Sequence, residues 1–289
     1  MSNRNPTASK MHRTKRMDRG LVLAWLIIGV YLFITLIPFF FTFITSLKPT
    51  NEITKSPVTY VFEGATIGSY LEVLFNRDYG RYLVNTLVIS LVVVVMCALF
   101  GIPGAYALAR FKFPFKRAIM FTTISIRLIP PISLIVPFFL LIRFLGAVDT
   151  LHSLILVNFI MNLPFFIWIA WGFFKDLPWE LEEAALLDGC TRLQSLVKVS
   201  IPIAAPGLGA AAIVSYMFTW NEYLFALTFT QTAAAKTIAV GISDFVGDIF
   251  IRWNLISAAG ILTIIPAIIF VFVFQRYIVH GLAAGGVKG

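Results

Sequence analysis

Long runs without a charged side chain alternate along this chain with short polar segments. No Lys, Arg, Asp or Glu occurs over 20–47, 82–109, 150–174, 199–221 or 253–275, and the run 118–142 is interrupted only by Arg127. A helix needs about 20 apolar residues to cross the hydrocarbon layer, and each run is long enough. The pattern predicts an all-α membrane protein with six transmembrane helices, over 20–46, 83–109, 118–142, 151–173, 207–229 and 254–275. Prolines recur inside these spans, at Pro38, Pro103, Pro130, Pro131, Pro137, Pro164 and Pro266. Each removes a backbone donor and bends its helix unless neighbours compensate, which suits a bundle that rocks between two states.

The polar segments are punctuated well enough to read. Ser69-Tyr70-Leu71-Glu72 has the capping-box pattern, with Leu71, Leu74 and Phe75 at helical spacing behind it, and predicts a short helix at the outer surface. The segment 176–206 is richer. Asp176 and Pro178 are start signals, and Glu180, Glu182 and Glu183 follow in the first turns, where the helix dipole favours acids. Ala184 and Ala185 are strong helix formers whose small side chains would let another protein approach the backbone. Gly189 is the natural stop. Thr191 with Gln194 is a second capping box, and Leu193, Leu196 and Val197 give the helix behind it one apolar side. Pro202 and Pro206 are expected to close the segment before the fifth span. The prediction is helix, Gly turn, helix, lying parallel to the membrane. A rigid acidic pair of this kind suits a protein partner whose motion it can transmit.

Composition agrees with a membrane protein: of 289 residues, 59% are hydrophobic and 13% charged, against about 25% charged in soluble domains. The net charge of +9 is distributed as a topology signal. The tail 1–19 carries Arg4, Lys10, Arg13, Lys15, Arg16 and Arg19 against Asp18, and the second loop carries Arg110, Lys112, Lys116 and Arg117 with no acid. Both are therefore expected inside, the balanced loop 48–81 outside, and the C-terminus inside. Nucleic-acid binding is not expected of cations clustered at span edges. The first apolar run exceeds a signal-peptide core and no cleavage site follows it, so it reads as an uncleaved span. Cys97 and Cys190 are placed too differently for a disulfide, and with His12, His152 and His280 scattered no metal site is expected. No P-loop pattern occurs, so a nucleotide site of that kind is not expected on this chain.

The motifs carry a resemblance. Glu183-Ala184-Ala185, Asp188-Gly189, Ile201-Pro202 and Pro206 resemble the EAA loop of binding-protein-dependent ABC importer permeases. Thr45-Ser46-Leu47-Lys48, Asn85-Thr86-Leu87, Gly104-Ala105-Tyr106-Ala107-Leu108-Ala109-Arg110, Ile129-Pro130-Pro131, Trp220-Asn221-Glu222-Tyr223-Leu224 and Gly285-Gly286-Val287-Lys288-Gly289 are similar to the carbohydrate-importer subgroup, the second permease of maltose-type systems. Cys190 departs from the family's usual Ala, and Leu196 from a frequent aromatic.

The resemblance implies the type I importer permease fold, with cytoplasmic coupling helices between the fourth and fifth spans, in the cytoplasmic membrane of a prokaryote. It implies as partners a homologous first permease, two copies of a cytoplasmic ATPase, and an extracellular or periplasmic solute-binding protein. ATP and Mg²⁺ would be held by the ATPase, with no cofactor on this non-catalytic chain. Glu182, Glu183, Ala184, Ala185, Asp188, Gly189 and Pro202 would be the ATPase-coupling residues, with Gly285, Gly286 and Lys288 of the Gly-rich tail 281–289 also reaching the ATPase. A sugar path needs aromatic faces with amides and hydroxyls, which Tyr216, Trp220, Asn221, Tyr223, Asn158 and Asn162 supply. Buried polar residues of this kind also serve as glue between membrane helices. The intramembrane charges Arg127 and Glu222 are expected to face the bundle interior and interact with each other or with the first permease; the alternative is that Arg127 snorkels and Glu222 sits in a local polar pocket. Di- or oligosaccharides are the leading solute class, with glycerol or glycerol phosphate open. A secondary transporter remains the rival, although inverted halves and coupling acids are not evident.

Overall fold

The computed structural model describes residues 19–53, 64–246 and 251–285, with side chains over 20–53, 64–246 and 251–275. The basic tail up to Asp18, and Gly286 and Lys288, lie outside these residues, and Gly285 ends the last helix. Leaving aside one turn at Thr50–Ile53, the helices in order are α1 (Arg19–Leu47), α2 (Gly68–Leu71), α3 (Tyr79–Arg110), α4 (Lys116–Ser125), α5 (Ile135–Phe144), α6 (Leu151–Asp176), α7 (Trp179–Leu187), α8 (Arg192–Ser195), α9 (Ile201–Trp220), α10 (Leu224–Phe229), α11 (Ile238–Ser243) and α12 (Trp253–Gly285). No strand forms among the described residues beyond an isolated bridge between Val246 and Ile251.

Helices α3 and α6 lie along each other, α9 packs on both and on α12, and α1 rests on α12. Tyr79, Phe166, Phe174, Tyr216 and Phe229 fill the interior. Small residues set the closest approaches: a Cβ on Gly207 of α9 would lie 2.0 Å from Cγ of Phe173 on α6, so no larger residue fits this crossing as built. By contrast α1 keeps Trp25, Phe33 and most of its apolar surface exposed. That surface is stable only against lipid or another subunit.

Two spans depart from the expectation. The third does not run unbroken over 118–142: Lys116–Leu128 and Pro131–Phe144 meet at a bend of 99°. The cause is Pro130-Pro131. A proline drives the residue before it out of helical conformation, and Ile129 (φ −76, ψ 120) and Pro130 (φ −60, ψ 130) are both extended. The described chain therefore has five membrane-length helices, or six spans if the bent pair counts as one.

The fifth span does not run over 207–229 either. It ends at Trp220, and α10 starts afresh after Asn221-Glu222-Tyr223. At its other end it begins earlier than expected, because α8 continues through the π-turn Leu196–Ser200 into α9 as one helical run, Arg192–Trp220. Pro202 and Pro206 do not close the segment. Pro202 sits in the first turn of α9, where a missing donor coincides with the change of hydrogen-bond register, and Pro206 lies inside the helix.

A smaller correction concerns the outer segment. Helix α2 forms and continues as a π-turn over Glu72–Asn76, but Ser69 does not cap it. Its hydroxyl is buried and accepts from Asn254 Nδ2 at 3.1 Å, tying the segment to α12.

Candidate functional site

The segment joining α6 to α9 has the local chemistry its sequence specifies. Helix α7 follows Pro178, and Gly189 ends it at φ +87, in the left-handed region. Cys190 N–H donates to Ala185 O at 3.0 Å and Gly189 N–H to Leu186 O at 3.1 Å, the paired bonds of a Schellman stop. Thr191 then caps α8: its Oγ1 accepts from Gln194 N–H at 3.3 Å while Gln194 Oε1 accepts from Thr191 N–H at 2.8 Å.

What fixes this segment to the bundle is Glu182. Its carboxylate accepts from Tyr106 Oη at 2.8 Å, Arg110 Nε at 2.8 Å and Ser200 Oγ at 2.9 Å. Arg110 also donates from Nη2 to Leu177 O at 3.0 Å. The side chains of the Arg110–Glu182 pair are only 8% and 2% exposed. Two charges so placed repay their desolvation only when their buried polar atoms are all partnered, and none of this pair's is left without one. Trp179 lies between two cations, with Arg110 at 5.6 Å and Arg192 at 5.0 Å from its ring centre. One carboxylate therefore holds together the end of α3, helix α7 and the root of α9.

The residues expected to couple to a partner accordingly divide into two sets. Glu182 and Ala185 face their own bundle, which corrects the expectation that both alanines present the backbone outward. Glu183, Ala184, Asp188 and Gly189 are exposed, as is Pro202. Leu187 and Leu193, 84% and 70% exposed, flank the Gly turn and give that face its apolar content. The roles of Tyr106, Arg110 and Ser200 were missed from sequence, where Arg110 reads only as a topology cation.

The intramembrane polar residues form a second cluster. Arg127, at the break of the third span, donates from Nη2 to Asn162 Oδ1 at 3.1 Å, and its guanidinium carbon lies 4.6 Å from the centre of Phe218 and 5.3 Å from that of Phe165. Asn162 donates to Thr219 Oγ1 at 3.2 Å and to Asn158 O, and Asn158 donates to Leu154 O. Glu222 does not meet Arg127: its carboxylate accepts from Phe225 N–H at 2.7 Å and Ala226 N–H at 3.0 Å, starting α10. The expected Arg127–Glu222 pair is therefore absent among the described contacts. The sequence signal for Glu222 was an ordinary helix-start acid.

Of the aromatic candidates, Tyr216 stacks on Phe270 at 3.7 Å between ring centres and on Trp220 at 5.3 Å. Tyr216, Trp220 and Asn221 line a groove of about 410 Å³ between α9 and α12, with Thr263, Ile268 and Phe272 opposite. Tyr223 lies outside that groove, partly exposed at the break before α10. Asn158 and Asn162 belong to the Arg127 cluster instead.

A helical bundle with five or six membrane-length spans and a helix–turn–helix latched to its end defines a multi-pass membrane protein. Residues 98–283 match the family described as binding-protein-dependent transport system inner membrane component, and the chain belongs to that family. It is 38% identical to the trehalose transport system permease protein SugB of Mycobacterium tuberculosis, over 95% of this chain and 99% of that protein. It is 34% identical to the trehalose/maltose transport system permease protein MalG of Thermococcus litoralis, over 91% and 96%. It is 33% identical to the sulfoquinovosyl glycerol transport system permease protein SmoH of Agrobacterium fabrum, over 93% and 95%. Among solved structures, a bacterial ABC transporter involved in the import of the acidic polysaccharide alginate superimposes with a TM-score of 0.76 at 25% identity, covering 89% of this chain and 95% of that one.

Proposed function

We propose that this chain forms half of the membrane path of an ATP-driven, binding-protein-dependent sugar importer. A related first permease supplies the other half, two cytoplasmic ATPase subunits supply the energy, and an external solute-binding protein delivers the solute. The chain itself catalyses nothing; ATP and Mg²⁺ are held by the ATPases. Both termini and the α7–α8 turn face the cytoplasm, consistent with the cations at Arg110, Lys112, Lys116 and Arg117. Glycosides are favoured over glycerol or glycerol phosphate because the relatives are named for trehalose, maltose and a glycosyl glycerol.

The observation that carries this reading is the latch at Glu182. A helix pair anchored by a buried three-partner carboxylate, with Glu183, Ala184, Leu187 and Asp188 outward, can pass a push from a docked ATPase into α3 and α9 as one body. The continuous run Arg192–Trp220 then carries it from the docking surface through the length of the fifth span. The test is a cysteine placed at Ala184 or Leu187 of the assembled complex: it should cross-link to the ATPase subunit, and a panel of glycosides offered with the binding protein should stimulate ATP hydrolysis. Failure to capture a nucleotide-hydrolysing subunit would sink the coupling role; stimulation by polyols alone would move the solute class.

A further inference from the structure

The loop between α3 and α4 has features that neither the coupling reading nor the solute path uses. It lies at the same end of the bundle as α7, since Arg110 bonds to Glu182 and Leu177. Over Phe111-Lys112-Phe113-Pro114-Phe115-Lys116-Arg117 it alternates rings and cations without an acid. Phe111 and Phe113 are exposed, and Phe115 is 80% exposed. A groove of about 380 Å³ opens among Lys112, Phe113, Phe115, Lys116 and Arg117. Among the described residues no carboxylate pairs with any of these cations; Lys116 Nζ reaches only Phe111 O, at 3.2 Å.

The local conformation also works against itself. Phe115 is held at φ +62, a left-handed conformation that a bulky residue rarely adopts. It is the N-cap of α4 but offers no side-chain cap. Lys116 and Arg117 occupy the first turn, where the helix dipole repels cations. Such conflicts with local rules concentrate at functional sites. An anion would offset the two first-turn cations, and it would lie beside rings placed where two spans leave the membrane.

We propose that this loop is a binding site for the headgroup of an acidic phospholipid, with the phosphate among Lys112, Lys116 and Arg117 and the phenylalanine rings set into the acyl boundary. Charge complementarity selects the anion, and exposed phenylalanines beside the cations fit the headgroup–acyl boundary, where interfacial segments bury Phe, Trp and Leu. The loop is also too short to leave the membrane edge: only residues 111–115 separate α3 from α4.

The test uses the assembled complex in detergent-lipid mixtures, with retained lipids counted by native mass spectrometry for phosphatidylglycerol against phosphatidylcholine of equal chain length. The complex should retain phosphatidylglycerol selectively, and soluble glycerol phosphate should not displace it. Each of Lys112→Gln, Lys116→Gln and Arg117→Gln should lower that selectivity about fivefold, equivalent to about 1 kcal/mol per charge. Should the combined variant not assemble, Phe115→Gly decides: it relieves the backbone conflict, so assembly should survive, while retention of both lipids falls. Unchanged selectivity in the cation variants, or unchanged retention in Phe115→Gly, would overturn the proposal, as would displacement by glycerol phosphate. A photo-cross-linker at Phe115 that captures the ATPase instead of lipid would also overturn it.

Discussion

The two polar clusters of this molecule are built to opposite standards. Around Glu182 no buried polar atom of the charge pair lacks a partner, and three helices meet at one carboxylate. Around Arg127 the count falls short: its Nε is buried without a partner. A fully satisfied network is rigid and specifies one arrangement, whereas a partly satisfied one leaves groups ready for other partners. The difference fits a permease that must transmit force at one end and exchange contacts at its middle. The same contrast governs the helices, since α8 and α9 are continuous while the third span is broken at Pro130-Pro131.

The contrast can be broken most sharply at the latch. Glu182→Ala leaves Arg110 buried without its counter-charge, and stability of the purified protein should fall by about 3–5 kcal/mol; thermal unfolding in detergent measures it. Next is Gly207→Ala, whose Cβ meets the base of the Phe173 ring and not a movable tip. It should cost about 1–3 kcal/mol and loosen the α6–α9 crossing beside the latch. Arg127→Met should behave differently. Removing a desolvated cation that lacks a carboxylate partner should leave stability within about 1 kcal/mol or raise it, while the transport rate changes. A large loss of stability would make the two clusters alike.

On the outer face, Leu187→Ser should shift stability by less than about 0.5 kcal/mol yet reduce ATP-coupled uptake. The smallest effect lies beyond the far end of α6, whose 26 residues span about 39 Å. There Asp149 accepts from the N–H groups of Gln231 and Thr232 and from the Thr232 hydroxyl. Partial burial pushes its pKa up, but these donors outweigh that and hold the carboxyl below its ordinary range. Its folded pKa is thus below the unfolded one, so its stabilisation is present above the unfolded pKa and lost as pH falls through the folded value. Asp149→Asn should flatten that acid-side loss in a pH series of unfolding curves.

Sequence made legible whatever depends on near neighbours. The Thr191–Gln194 box and the Gly189 stop could be read because their chemistry closes within a few residues. The partners of Glu182 could not, since Arg110 lies 72 positions away and announces only its charge. The Arg127–Glu222 pairing failed for a related reason: two costly charges invite a pairing, but Asn162 and two rings engage Arg127 while two backbone N–H groups engage Glu222. The break in the third span was half visible. Its prolines stood in the sequence, yet an apolar run reads the same whether its helix is straight or folded by 99°.

The Glu182 latch requires that α7 move with the bundle and not against it. Spin labels at Leu187 and at Val95, both exposed, would report the distance between α7 and α3 in the assembled complex through a cycle of ATP binding and hydrolysis. One narrow distribution, the same in every nucleotide state and broadened by Glu182→Gln, is the predicted result. A distance that shifts between nucleotide states with Glu182 intact would contradict it.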